Sequence, residues 1–174
     1  MNMNTAMVTN AVIALLVIGL LLFRQLTPRR VKIDGGWRLM LIVGAIGLVQ
    51  LGQFVDNSTG IGVVGTGLLV VTLGLAAVFA TVRAASVTLW QQPDGSWWRR
   101  GGAVTLVLWL VSIGSHFGVD AIAVQLAGPP VDMQGLGNAS LLLYVAISLG
   151  LQNLLVARRV LRRGREQRAL TFQR

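Results

Sequence analysis

The sequence predicts an all-α membrane protein: five transmembrane helices, N-terminus outside and C-terminus inside, with a short cytoplasmic β-hairpin between the third and fourth. Three observations carry this expectation. Hydrophobic residues make up 54% of the 174 positions and charged residues 12%, against about 45–50% and about 25% in a soluble domain, and the mean hydropathy is +0.70. Five stretches approach the ~20 apolar residues that a helix needs to cross a ~30 Å hydrocarbon core. The basic residues, finally, gather in segments that alternate with segments holding none. Such a composition excludes a soluble enzyme and a disordered chain. It also weighs against a DNA-binding domain despite a net charge of +9, because the apolar surface would have nowhere to go.

The expected spans are residues 6–23, 37–55, 60–82, 103–123 and 136–157, followed by a basic tail over 158–174. Residues 1–5 carry no Lys or Arg and Arg24 follows the first span. A secretory signal has the reverse pattern, a basic start and a small-residue cleavage site, so this span reads as a retained anchor. The first connection holds Arg24, Arg29, Arg30, Lys32 and Arg38. The third holds Arg83, Arg99 and Arg100, and the tail holds Arg158, Arg159, Arg162, Arg163, Arg165, Arg168 and Arg174. The second and fourth connections have no basic residue. With five spans every basic segment falls on the cytoplasmic side, as the positive-inside rule requires; four spans would split them.

The third connection contains a hairpin pattern. Ser86-Val87-Thr88-Leu89-Trp90 alternates, and Gln91-Gln92-Pro93-Asp94-Gly95 then leads into Ser96-Trp97-Trp98. Pro, Asp and Gly in that order suit a type I turn closed by a glycine at positive φ. Val31-Lys32-Ile33 of the first connection is available as a third short strand. The alternative is a loop held by interfacial tryptophans, since short alternating runs are a weak signal. In either case Trp90, Trp97, Trp98, Arg99, Arg100, Arg158, Arg159, Arg162 and Arg163 are expected at the lipid headgroups. The pairs Arg158/Arg162 and Arg159/Arg163 disfavour an isolated helix, being like charges four residues apart.

Polar residues within spans are costly and so informative. The fifth span carries Ser140, Tyr144, Ser148 and Gln152 at steps of four, and the fourth carries Thr105, Trp109, Ser112, His116 and Asp120. The second carries Gln50 and Gln53 near its outer end. Two readings stay open. Gln50, Gln53, Ser112, His116, Asp120, Tyr144 and Ser148 line a polar cavity opening outward, or they form the interhelical hydrogen bonds that position membrane helices. Glycines, including Gly114-x-x-x-Gly118, serve close helix approach within one bundle or at a dimer face. A single histidine and no cysteine provide neither a metal-ligand set nor a catalytic triad. No cofactor, metal or nucleic-acid partner is expected. The bilayer and a homo-oligomer or membrane-protein partner are.

Residues 74–117 run from a span through Arg83, a hairpin with Asp94-Gly95 and the run Trp98-Arg99-Arg100 into Thr105 and Trp109. This stretch resembles the CcdC-like family of small bacterial membrane proteins, associated by name with cytochrome c biogenesis. The resemblance covers about a quarter of the chain and implies a small bacterial membrane protein with no catalytic residues to carry over; with the basic segments on the cytoplasmic side, the expected location is the inner membrane. The expected function is non-enzymatic, as an accessory, assembly or regulatory subunit. The runner-up is a small oligomeric channel or carrier using spans two, four and five.

Overall fold

The computed structural model describes residues 19, 23, 26–31, 37–58, 61–127 and 133–172. Its elements are β1 (Arg29–Arg30), α1 (Trp37–Asn57), α2 (Gly62–Ser86), β2 (Thr88–Gln91), β3 (Trp97–Arg100), α3 (Ala103–Ala127) and α4 (Met133–Phe172). All four helices are long and apolar enough to cross a membrane. They correspond to the second through fifth expected spans. The first expected span lies outside the described residues apart from Gly19 and Phe23, as do residues 128–132 of the fourth connection.

Large apolar side chains cover the outside of the bundle: Leu41, Ile42 and Ile46 on α1, Val63, Val70 and Val78 on α2, Val104, Leu110 and Phe117 on α3. In water such a surface is unfavourable; in lipid it is the ordinary exterior. Helix α4 is the hub, packing against α1, α2 and α3, while α3 also packs on α2. Small residues set these approaches. Ala76, Ala80 and Ala84 of α2 are buried. A Cβ on Gly47 of α1 would lie 2.6 Å from the Leu143 backbone nitrogen of α4.

All four helices run past their expected ends, and in two of them the extension changes the surroundings of arginines. Helix α2 continues to Ser86, so that Arg83 is helical, and ends where Val87 turns extended and donates its N–H to the Arg83 carbonyl (3.2 Å). Helix α4 spans 40 residues, ~60 Å at 1.5 Å per residue, carrying the arginine tail as one continuous helix. The like-charge repulsion in that tail is relieved pair by pair. Arg162 reaches Glu166 (3.0 Å), while Arg159 and Arg163 turn onto backbone carbonyls at the end of α2 and on β2.

The hairpin forms as expected, and Gly95 adopts φ +79° to close its turn. Gly95 N–H donates to the Gln92 carbonyl and Gln92 N–H to the Ser96 carbonyl, each at 2.9 Å. The third strand is displaced from its expected position. It is Arg29–Arg30, with Val31 N–H donating to the Trp97 carbonyl (2.8 Å); Lys32 and Ile33 lie outside the described residues. The sheet order is β1-β3-β2, with Arg29 opposite Arg99 and Leu89 opposite Arg99 on the other side. Beneath it Ala84, Val87, Leu89, Val156 and Val160 form a small core against which Val31, Trp97 and Leu155 pack. Helix ends thus supply the support that an isolated hairpin lacks.

Candidate functional site

The polar periodicities of α3 and α4 are the faces these helices turn inward. Thr105, Ser112 and His116 of α3 and Ser140, Ser148 and Gln152 of α4 are all buried, as are Trp109 and Tyr144. Thr105 to Asp120 covers ~22 Å along α3, so the polar groups form a column through much of the bundle. The members interlock in pairs. The Tyr144 hydroxyl lies 2.5 Å from the Ser112 Oγ and also donates to the Ser112 carbonyl (2.6 Å). Ser86 and Thr105 hydroxyls are 3.0 Å apart. The His116 ring stands 4.7 Å from the Tyr144 ring, and its Nε2 is 3.6 Å from the Asp120 carboxylate.

Asp120 rests over Gly137, where any side chain would collide with the carboxylate. Beside it is a cavity of about 10 Å³ lined by Thr72, Asp120, Gly137 and Ser140, with leucines and Val119 around them. That volume admits about one water and no larger solute.

The expected seven-residue cavity divides into separate places. Ser112, His116, Asp120 and Tyr144 do come together. Ser148 sits deeper, against Arg83. Gln50 and Gln53 are exposed and line an open groove of about 460 Å³ with Phe54, Asn57, Asn138 and Ala139. The rotation of α1 about its axis turns its glutamines away from the α3–α4 column, which spacing within α1 could not reveal.

The expected headgroup residues also divide. Arg100, Arg158, Arg162 and Arg163 are exposed, whereas Arg99 and Arg159 are half-buried. Arg159 instead donates to the Ala84, Ala85 (3.2 Å) and Val87 (3.3 Å) carbonyls, and Arg163 to Leu89 (3.3 Å). These arginines satisfy the orphan carbonyls of a helix end and screen the β2 edge. Arg99 donates to Asn153 Oδ1 (2.7 Å) and Arg100 to the Leu26 carbonyl (3.2 Å). Burial, and then the facing Arg29 charge, pulls the Arg99 guanidinium below its ordinary value. Trp97 packs on the small core, while Trp90 and Trp98 stack at 6.5 Å.

One residue escaped sequence reasoning. Arg83, counted there among the loop arginines, is fully buried. Its guanidinium donates to the Ser148 hydroxyl and stacks 4.1 Å above the Trp109 ring. The signal was present: Thr72, Ala76, Ala80 and Arg83 recur at helical spacing and are all buried, so the inward face of α2 simply continues onto the arginine.

Among the described residues no group of three or more His, Asp or Glu could hold a metal ion. Fold and site together define a class, a bundle of membrane-length helices around a buried polar column with a small basic sheet at one end. No protein-family model matches the chain, and comparison with curated proteins and with solved structures gave no match.

Proposed function

We propose that the chain is a five-span protein of a bacterial inner membrane, N-out and C-in, acting without enzymatic chemistry as an accessory, assembly or regulatory subunit. The orientation is supported by the meeting of all three basic segments at one end: Arg100 reaches Leu26, Arg159 reaches Ala84, and Arg163 reaches Leu89. The acidic positions Asp56 and Asp120 belong to the far end of α1 and the far half of α3. The likeness of residues 74–117 to the CcdC-like family is part of this proposal, and would place the chain among small bacterial membrane proteins.

The observation that carries the subunit reading is the outer face of α3. Gly114 and Gly118 are exposed there and a Cβ on either would meet nothing within 4 Å, while Val107, Leu110, Val111 and Phe117 are exposed on the same helix. The glycines therefore do no packing inside the described bundle, and small residues four apart are the usual contact of one membrane helix with another. The inner column, by contrast, is turned wholly onto the bundle's own residues, as in the Tyr144–Ser112 and Ser86–Thr105 pairs. The test is the mass of the gently solubilised protein. An assembly larger than one chain is expected, and Gly114→Leu with Gly118→Leu should break it down. A monomer with no co-purifying protein overturns the reading.

A carrier is the second reading, favoured by the ionisable line Asp120–His116–Tyr144. His116→Ala should then abolish flux in reconstituted vesicles.

A further inference from the structure

We propose that the Arg83–Trp109 stack is a binding site for a small monovalent anion such as chloride, buried between α2, α3 and α4. Arg83 is 0% exposed and Trp109 1%. Arg83 uses one nitrogen on Ser148. Its Nε and Nη1, and the Nε1 of Trp109, find no hydrogen-bond acceptor among the described residues. With the guanidinium carbon 4.1 Å from the ring centre, the three donors occupy one neighbourhood. Buried donors left unmade are expensive and rare.

For each of these three atoms the missing group is an acceptor, and the Arg83 guanidinium carries a full positive charge while the Trp109 indole N–H is neutral. Water satisfies a donor but does not neutralise a guanidinium in a medium of low dielectric. None of the described carboxylates does so either. Asp94 accepts from Ser96, Asp120 lies beside His116, Glu166 pairs with Arg162, and Asp56 is exposed at the far end of α1. Ala76, Ala80 and Ala84 on the same face of α2 are buried as well, so an occupant has to be small. Arg99, Arg159 and Arg163 stand around the same end of the bundle and raise the local anion concentration.

The experiment uses the full chain purified in detergent, with sodium chloride replacing sodium gluconate at fixed ionic strength. Chloride is expected to raise the thermal midpoint saturably. Arg83→Gln should abolish that rise, and Trp109→Phe, which keeps the ring but loses one donor, should weaken the half-saturating chloride about tenfold. Arg158→Gln, at an exposed arginine, should leave it unchanged. If Arg83→Gln does not fold, Trp109→Phe decides: an unshifted half-saturation overturns the proposal. Absence of a saturable chloride effect in the wild-type chain, or its survival in Arg83→Gln, also overturns it and leaves the donors to water.

Discussion

Glycines that look alike in the sequence have opposite jobs in the bundle. At Gly47 an added Cβ would lie 2.6 Å from the Leu143 nitrogen and 3.0 Å from its Cα. Both are backbone atoms that cannot rotate aside, so α1 and α4 would have to separate. At Gly67 the same Cβ meets nothing within 4 Å. Gly47→Ala is therefore expected to lower stability by about 1–3 kcal/mol, the usual cost of overpacking. Gly67→Ala should be neutral or slightly stabilising, because alanine is the better helix former. Thermal unfolding of the two purified variants side by side checks the contrast. Spacing showed which glycines share a helix face; it carried no information about which face meets a neighbour's backbone.

The arginine tail and the hairpin work as one element. Arg159 is positioned to bind three carbonyls where α2 ends, while Arg158, the adjacent residue, is exposed. Arg159→Gln should destabilise the protein by about 1.5–3 kcal/mol, the range for hydrogen bonds to a charged group, and Arg158→Gln should have little effect; chemical denaturation distinguishes them. The hairpin turn has its own pH signature. The Asp94 carboxylate accepts from the Ser96 hydroxyl (2.7 Å) and N–H (2.9 Å), and these bonds hold it below the ordinary carboxylate range. A depressed folded value stabilises the turn above the unfolded pKa of about 3.9 and loses that contribution as pH falls through the lower folded value. The Trp90–Trp98 stack should accordingly keep its fluorescence from neutral pH down to about 4 and change below it, whereas Asp94→Ala should show the altered signal at neutral pH. The D-G turn was legible because φ > 0 narrows the choice of residue. The exact place of β1 was not, since two adjacent arginines carry no strand periodicity.

For the molecule as a whole, topology is the property most open to a direct test. The chain has no cysteine, so single introduced thiols report cleanly. Asn57→Cys at the end of α1 and Gln92→Cys in the hairpin should react with a membrane-impermeant reagent from opposite sides of the membrane; reaction from the same side contradicts the N-out, C-in arrangement. Four membrane-length helices, their approximate bounds, the hairpin and the inward faces of α3 and α4 were all readable along the chain. Each depends on local quantities: the length of an apolar run, the period of its polar residues, a turn that demands glycine. The burial of Arg83, the diversion of Arg159 and Arg163 from lipid to carbonyls, and the parting of Gln50 and Gln53 from His116 were not readable. These follow from how far each helix is rotated and slid against α4. Close contacts such as Gly47 on Leu143 and Arg83 on Trp109 set those rotations, and they join residues with no regular relation in sequence.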